Sequence, residues 1–444
     1  MYSTIYRTLR LFWPGGLETQ RHLHELERTQ WLSRPELEAW QLQRIQQVIR
    51  YAYEHVPYYR ERYQREDIHP EDIKSIKDFQ ALPFLTKEEV NNHLDALVSS
   101  DFRTKLHPNH TGGSTGEPMR FFVEDSFWWW NAALELRGRG WHGVREGHKI
   151  AWVWGAAQDM PGSSWRGRLK ARIMRHRYLN AFGMTEGMMR AFAEMLVHWQ
   201  PVLIRAYPSA LSLFACYVKE QRITDIHPRL IETTAEKLPE PQRQLLEEVF
   251  QCPVVECYSA RELGTIAYPC ETSGLHVCDT RYVEIVAKGR VVPPGQLGEV
   301  VVTSLHQYAM PFIRYKLHDM GIFEAGDCSC GRGLPVLREI VGRMPDYLVT
   351  ADGQFVHGTL FAWVFGGKPE VARYQVYQPD RQHLEVRLVC RQNVDSAWLE
   401  SARGELQAHF GESMQISLRV VDNIQLTPAG KHRLVISEVK PDFV

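Results

Sequence analysis

The amino-acid sequence predicts an α/β protein: a mostly parallel sheet covered by helices, a small barrel-like part, and a compact α+β unit at the C-terminal end. From residue 119 to about 260, short apolar runs alternate with helical patterns, which is typical of parallel strands joined by helices. Residues 281–323 carry apolar runs separated by Pro-Pro-Gly and similar turns, which favours an antiparallel patch or small barrel. Residues 347–444 combine three strand patterns with one helical pattern, which predicts the α+β unit.

The spacing of apolar residues predicts the individual elements. The predicted strands are 150–154, 202–206, 230–233, 254–257, 283–287, 299–303, 312–316, 371–377, 383–390 and 415–421, with a final strand from His432. The predicted helices lie near 127–140, 186–199, 208–220, 239–250 and 396–409. Capping boxes at Ser33/Glu36 and Thr86/Glu89 predict helix starts in a mostly helical N-terminal region. We therefore expect a helical lead-in at 1–100, a large domain at 101–342 and a small domain at 343–444.

Composition limits the class of protein. Of the 444 residues, 44% are hydrophobic and 24% are charged, and the formal net charge is −1, the profile of a soluble globular protein without bulk attraction to nucleic acid. No apolar run approaches the roughly 20 residues of a transmembrane segment. Residues 1–13 are too interrupted by polar side chains for a secretory signal. Eight cysteines do not make a disulfide scaffold, so we expect a cytoplasmic protein.

The most distinctive stretch runs from His110 to Pro118. It alternates three glycines with small hydroxyl residues, a composition that can close around an anion and turn N–H and O–H donors toward it. No Gly-Lys-Ser/Thr follows, so it is not a Walker loop, and by itself it fits an ordinary Gly/Ser turn equally well. Its candidate phosphate-binding residues are Thr111, Gly112, Gly113, Ser114, Thr115 and Gly116.

Four further stretches carry side chains suited to a nucleotide and a metal ion: 255–264, 310–319, 340–347 and 427–433. Tyr258 ends a strand pattern and could stack on a base, while Glu262 could hold Mg²⁺ beside phosphates. Asp319 could accept hydrogen bonds from ribose hydroxyls, and Lys431 is presented on a glycine turn. Taken singly, each of these residues is more often structural: a surface acid, a turn cap or a solvated charge.

The order and spacing of these five stretches resemble the adenylate-forming superfamily of acyl- and aryl-coenzyme A ligases. More narrowly, the chain looks like the phenylacetate–coenzyme A ligase-like branch, which includes capsule-cluster homologues and coenzyme F420-adenylylating synthetases. The resemblance covers nearly the whole chain, including residues 51–59, 82–87 and 206–209. It implies a large adenylate-forming domain and a small mobile C-terminal domain. It also implies ATP-dependent conversion of an aryl or aliphatic carboxylic acid to an acyl-adenylate, with release of pyrophosphate and transfer to an acceptor, most often the thiol of coenzyme A.

The resemblance implies how the nucleotide is bound. The loop from Thr111 to Gly116 would hold the β- and γ-phosphates, with Ser114 and Thr115 as hydroxyl donors. Tyr258 and its neighbour Ser259 would lie at the adenine, and Asp319 would bind the ribose hydroxyls. Ser259 is a departure, since glycine is common there.

The resemblance also implies three catalytic residues. Glu262 would hold Mg²⁺, Arg343 would assist at the domain junction, and Lys431 would swing in to bridge the carboxylate and the α-phosphate. Two departures bear on this scheme: Glu117 stands where lysine is common, and Pro345 stands at the usual hinge position. Because proline restricts φ, adenylation is better supported than the later transfer to coenzyme A.

A second metal is suggested by two Cys/His pairs. Cys328 and Cys330 lie on a Gly-rich turn, and Cys270 and His276 lie upstream between strands. Two short pairs suit a tetrahedral structural zinc, although the unorthodox spacing leaves buried thiols as an equal alternative. Comparable pairs in the resembled branch favour zinc, with Cys278 as a substitute ligand.

The acyl pocket implied by the resemblance is lined by Tyr207, Pro208, Ser209 and Ala260. Nearby tryptophans favour an aryl or aliphatic acid, although aromatic residues at helical spacing are more often core. Residues 165–177 are densely basic and could receive coenzyme A phosphates, an acidic carrier protein or a membrane edge; a solvated basic helix is the alternative.

Several functions therefore remain open. The leading one is acid activation and transfer to coenzyme A, with a carrier-protein thiol or an amine as other acceptors, and AMP transfer to a hydroxyl as a variant. The rival is a nucleotide-binding partner protein without turnover. Nucleic-acid binding conflicts with the neutral charge. The oligomeric state is open, with a homodimer as one option.

Overall fold

The structure of the protein is a computed structural model that describes residues 15–102, 106–111, 119–155, 165–181, 184–272, 274–343, 347–351, 355–357, 359–365, 368, 370–425 and 435–439. Among these residues, none of the helices combines the length and the hydropathy that a membrane crossing requires.

The N-terminal part is helical. Its helices are α1 (Gly16–Thr29), α2 (Arg34–His55), α3 (Pro57–Arg65), α4 (Ile76–Gln80) and α5 (Lys87–Asn92), with short 3₁₀ turns at Pro70–Asp72 and Ser100–Phe102. Both predicted capping boxes are present: the Ser33 amide donates to the Glu36 carboxylate at 2.9 Å, and the Thr86 amide donates to the Glu89 carboxylate at 2.8 Å. The apolar face of α2 is buried in a core shared with the antiparallel sheet described below.

A two-stranded hairpin of β1 (His107–His110) and β2 (Arg120–Val123) precedes a five-stranded parallel sheet. The strands of that sheet are β3 (Ile150–Trp154), β4 (His176–Asn180), β5 (Leu203–Ala206), β6 (Leu230–Thr233) and β7 (Val254–Glu256), in the order β4-β3-β5-β6-β7. Its helices are α6 (Asp125–Trp141), α7 (Trp165–Ile173), α8 (Glu186–Trp199), α9 (Pro208–Glu220) and α10 (Glu240–Phe250). All residues of β5 and β6 are buried, as expected for strands covered on both faces. The predicted α/β fold is confirmed.

The basic stretch at 165–177 is a helix over only part of its length. It divides into helix α7 and the edge strand β4, which pairs with β3 from His176 onward. Most of β4 is only half-buried, so its residues lack the apolar run that marks the inner strands.

An eight-stranded antiparallel sheet follows, and it is larger than the patch that the sequence predicted. Its strands are β8 (Tyr258–Ala260), β9 (Gly264–Pro269), β10 (Leu275–Val277), β11 (Arg281–Ala287), β12 (Arg290–Val291), β13 (Leu297–Ser304), β14 (Tyr315–Phe323) and β15 (Val336–Arg343), in the order β12-β11-β13-β14-β15-β10-β9-β8. The strand predicted at 312–316 begins only at Tyr315. The chain turns before it: the Ser304 amide donates to the Phe312 carbonyl, and Arg314 adopts a φ of 49°.

The C-terminal part is an α+β unit with its own core. It contains β16 (Tyr347–Val349), β17 (Phe355–His357), α11 (Thr359–Phe365), β18 (Val371–Gln378), β19 (His383–Cys390), α12 (Ser396–Phe410), β20 (Gln415–Val420) and β21 (Val435–Ser437). The sheet order is β20-β19-β18-β21, with β18 and β19 antiparallel and both outer pairs parallel. The predicted strands and helix of this part lie within one residue of β18, β19, β20 and α12.

Candidate active site

The hairpin β1–β2 holds together the two residues that flank the Gly/Ser stretch. The Thr111 amide donates to the Met119 carbonyl at 2.9 Å, and the Thr111 hydroxyl oxygen accepts from the Met119 amide at 3.0 Å. The phosphate-binding candidates Gly112, Gly113, Ser114, Thr115 and Gly116 lie outside the described residues, so their role stays a prediction.

Two of the predicted nucleotide-binding residues meet directly. Tyr258 follows β7, and its hydroxyl donates to Oδ2 of Asp319 in β14 at 2.8 Å. Arg343 lies opposite Asp319 in the register of β14 and β15, which places the two Cα atoms about 4.5–5.5 Å apart. Three residues from separate stretches of the sequence therefore lie at one place in the fold.

The turn that carries Glu262 is held from both sides. Glu262 lies between β8 and β9 and is only 6% exposed. Arg281 is buried, and its Nε and Nη2 atoms donate to the carbonyl of Leu263 at 2.9 and 2.6 Å. Asn131 of α6 accepts from the Thr265 amide at 2.7 Å. A carboxylate on so constrained a turn has a defined position, as metal binding requires.

The predicted pocket residues follow the carboxyl ends of the parallel strands. Tyr207, directly after β5, stacks on Trp154 at the end of β3, with ring centroids 4.3 Å apart. Pro208 begins α9, and the Ser209 amide donates to the Glu236 carboxylate at 3.0 Å. Ala260 is half-buried at the end of β8.

Ser259 also lies at this edge. Its hydroxyl contacts that of Thr234, after β6, at 2.8 Å. The ends of β3, β5, β6 and β7 thus meet at one edge of the sheet, where ligands bind in open α/β sheets.

A buried ion network lies beneath this edge. Glu232 in β6 is fully buried and pairs with Arg139 at 3.0 Å and Arg205 at 3.1 Å. Glu135 completes the network by pairing with the same two arginines, and Tyr268 donates to Glu232 at 2.5 Å. Burial alone would raise the pKa of Glu232, but the two guanidinium groups and the Tyr268 hydrogen bond lower it to about 2. The network ties α6 to β5 and β6.

The two Cys/His pairs form one cluster. The side-chain ligand atoms of Cys270, His276, Cys328 and Cys330 all lie within 4.8 Å of one another. The Cys270 and Cys328 sulfurs are 3.6 Å apart, close to the roughly 3.8 Å edge of a tetrahedron with Zn–S bonds of about 2.3 Å. His276 Nε2 lies 3.1 Å from the Cys330 sulfur, and Nδ1 lies 3.2 Å from the Leu334 carbonyl. Burial lowers the pKa of His276 to about 4, so the ring is neutral. Three sulfurs and one neutral imidazole fit a structural zinc.

Comparison with known proteins agrees with this arrangement. Residues 348–438 match the family model of the CapK C-terminal domain. The phenylacetate–coenzyme A ligase of Pseudomonas putida is 25% identical over 412 residues, covering 87% of this chain and 90% of that protein. Protein CapK of Staphylococcus aureus is 23% identical over 90% of this chain and 89% of its own length. The chain resembles the adenylate-forming ligases and, within them, the phenylacetate–coenzyme A ligase-like branch.

A solved structure shares the fold of this phenylacetate–coenzyme A ligase-like chain. The 2-hydroxyisobutyryl-CoA ligase, in the postadenylation state with 2-HIB-AMP, has a TM-score of 0.73 and 22% identity, and the match covers 93% of this chain and 92% of that chain. Lys431 lies inside the range that matches the CapK family model but outside the described residues. For Arg343, the structure describes the backbone only. The catalytic roles of both residues therefore stay predictions.

The sequence did not reveal the residues that support the candidate site. Arg281, Asn131 and Thr234 carry no motif, and each acts on a partner that is distant in sequence. One weak signal was available: Arg281 is a cation at the start of a strand pattern that carries the apolar residues Val283, Ile285 and Val286. A buried charge of this kind needs hydrogen-bond partners, here the Leu263 carbonyl.

Proposed function

We propose that this protein uses ATP to activate a carboxylic acid as an acyl-adenylate and then transfers the acyl group to the thiol of coenzyme A. The observation that carries the proposal is the contact between Tyr258 and Asp319 at the carboxyl edge of the parallel sheet. It joins the residues that the resemblance assigns to adenine and ribose. The wider family and the names of the relatives support the same chemistry.

In the first half-reaction, a substrate carboxylate oxygen attacks the α-phosphorus of ATP and pyrophosphate leaves. The acid and the triphosphate are both anions, so catalysis depends on positioning them in line and on neutralising their charge. Glu262 would hold Mg²⁺, which supplies charge neutralisation at the phosphates. Glu262 lies on a buried turn that Arg281 and Asn131 hold from either side, which fits that role. Lys431 would bridge the carboxylate and the α-phosphate, with Arg343 beside Asp319.

In the second half-reaction, the thiol of the acceptor attacks the acyl carbonyl and AMP leaves. In the proposal, the small domain turns so that Lys431 withdraws and the acceptor enters. The proposed domain boundary follows the pairing of Arg343 with Asp319, so a rotation there would act directly on the ribose-binding end of the site.

The proposed substrate class is an aryl or aliphatic acid. Tyr207 and Trp154 stack at the carboxyl ends of β3 and β5, and the half-buried Ala260 adds apolar surface. Pro208, also proposed for this pocket, is buried at the start of α9. Aromatic and apolar walls favour a flat or hydrocarbon group over a polyhydroxylated sugar acid, whose hydroxyls need hydrogen-bond partners.

A structural zinc is part of the proposal. The Cys270, His276, Cys328 and Cys330 side chains supply four donors of the types that zinc prefers. The metal would join the β9–β10 turn to the loop before β15, outside the residues proposed for catalysis. All eight cysteines lie in described residues and none forms a disulfide, in keeping with a reducing compartment such as the cytoplasm.

The test is acid-dependent exchange of pyrophosphate into ATP across a panel of aryl, short-chain and fatty acids. We expect exchange with one class of acid, its loss in Lys431→Ala, and its retention in the control Lys219→Ala, an exposed lysine on α9. Mass spectrometry of a reaction with coenzyme A then identifies a thioester. ATP binding without exchange for any acid would favour the rival, a nucleotide-binding partner protein. Exchange without a thioester would indicate that the acceptor is a carrier protein, an amine or a hydroxyl and not coenzyme A.

A further inference from the structure

Helix α7 exposes a tryptophan and a leucine on one face. At 100° per residue, Trp165, Arg168, Leu169 and Arg172 fall within about 100° of arc. All four are exposed, with Trp165 at 64% and Leu169 at 48%. The half-buried residues are Gly167, Ala171 and Ile173 of α7, and Met174 directly after it. An ordinary surface helix buries its large apolar residues, so the exposed tryptophan and leucine on one face of α7 depart from the usual pattern.

The charge around α7 is one-sided. Residues 160–185 contain five arginines and one lysine and no acidic residue, in a chain whose net charge is −1. On α7 itself, Arg168, Lys170 and Arg172 are exposed. A local cationic surface with exposed tryptophan and leucine at its centre complements an anionic partner that also accepts apolar groups.

The cationic surface continues onto the amino-terminal edge of the parallel sheet. Arg175 follows α7, and its guanidinium donates to the Gly147 carbonyl at 3.2 Å. His148 lies beside it, and its pKa is lowered by burial and then by Arg229, Arg175 and Arg145. These cations lie at the starts of β3, β4 and β6, whereas Tyr258 and Tyr207 follow the opposite, carboxyl ends of strands.

We propose that α7 and the adjoining amino edge of the sheet bind peripherally to an anionic lipid surface. Trp165 and Leu169 enter the headgroup region, and Arg168, Lys170 and Arg172 contact lipid phosphates. Tryptophan prefers this interface because one part of its ring system is apolar and its N–H is polar.

Two other occupants fit less well. In a twofold homodimer through this face, the same patch would meet itself, and Arg168 and Arg172 would approach their own copies. A nucleic acid would satisfy the charge, but its binding relies on phosphate contacts with aromatic stacking and does not use an exposed leucine beside the tryptophan.

The test is flotation of the full-length protein with two vesicle types, pure phosphatidylcholine and phosphatidylcholine with roughly one third phosphatidylglycerol. We expect binding to the anionic vesicles that weakens with salt, and little binding to the neutral ones. Arg168→Gln/Arg172→Gln should weaken the partition coefficient about fivefold for each arginine neutralised. Leu169→Ala should weaken it by a further severalfold.

Matched variants on α9 and just after it are the controls. Leu213→Ala removes a leucine of similar exposure, 52%, and Lys219→Gln/Arg222→Gln removes two charges. Both should bind vesicles as the native protein does. Equal loss in these controls, no binding to anionic vesicles, or binding to RNA or DNA that outcompetes the vesicles would each overturn the proposal. Melting temperatures of all variants show whether the fold is intact.

Discussion

The hydroxyl of Tyr258 donates a 2.8 Å hydrogen bond to Oδ2 of Asp319, across 61 positions of sequence. Tyr258 begins β8, directly after the last strand of the parallel sheet, and Asp319 lies in β14 of the same antiparallel sheet as β8. The contact therefore joins two strands that are not neighbours in that sheet, at the point where we place the adenosine of ATP. It orients the carboxylate before any ligand arrives, which lowers the cost of ordering the site on binding.

Tyr258→Phe keeps the ring and removes the hydroxyl. We expect the KM for ATP in pyrophosphate exchange to rise about tenfold, because a hydrogen bond to a charged group contributes about 1.5–3 kcal/mol. The kcat should change less, and Asp319→Ala should raise the KM further. The control is Tyr51→Phe, which removes a hydroxyl bonded to Ser99 at 2.6 Å. An unchanged KM for ATP in Tyr258→Phe would show that this hydrogen bond does not contribute to nucleotide binding.

Arg281 acts on Glu262 through the turn between them. Its guanidinium donates twice to the Leu263 carbonyl, and burial lowers its pKa to about 10. Arg281→Met should increase the Mg²⁺ concentration for half-maximal exchange by about tenfold, because the turn that carries Glu262 loses its anchor. Arg281→Lys should recover part of the effect.

The readout that separates positioning from general destabilisation is the Mg²⁺ titration, compared with the melting temperature. Arg44→Met is the control, since Arg44 pairs with Glu25 at 2.8 Å in the helical layer. If Arg281→Met lowers the melting temperature but leaves the Mg²⁺ dependence unchanged, its role is purely structural.

Glu232 links stability to acid pH. Its pKa is lowered from 4.5 to about 2, since Arg139 and Arg205 outweigh the effect of burial. Its stabilising contribution is therefore fully present above pH 4.5 and is lost as the pH falls toward 2. Glu232→Gln leaves two buried arginines with less compensation and should cost about 3–5 kcal/mol.

Calorimetric melting of the native and Glu232→Gln proteins over this pH range measures the effect. The gap between their melting temperatures should be widest near neutral pH and should narrow below pH 4.5. Glu400→Gln, in an exposed pair with Arg403, should behave as the native protein does. A gap that stays constant with pH would show that Glu232 does not titrate as expected.

The Cys/His cluster predicts one zinc ion per chain. Elemental analysis of purified protein should give a ratio near one, and a strong chelator should lower the melting temperature, since the metal binds the folded state. Cys328→Ser should lose the metal. Cys390→Ser removes a thiol from the C-terminal sheet and should keep it. Purified native protein without stoichiometric zinc would contradict this prediction.

Much of the fold could be predicted from local pattern. The strand at 150–154, the helix at 208–220 and the capping box at Thr86 depend on spacing along a few residues, and the structure has all three. Edge strand β4 could not be predicted in this way, because a half-exposed strand rich in cations has no apolar run. The start of β14 depended on the turn at Arg314, which is set by contacts with β13.

The sequence by itself determined the α/β class, most element positions, the resemblance to adenylate-forming ligases and the residue types of the candidate sites. These follow from periodicity and from ordered motifs, which are local properties. Only the tertiary structure decided that Tyr258 meets Asp319, that Arg281 holds the Glu262 turn, and that two Cys/His pairs share one centre. Those contacts join residues on different strands, and their partners depend on sheet order and register, which no local pattern contains.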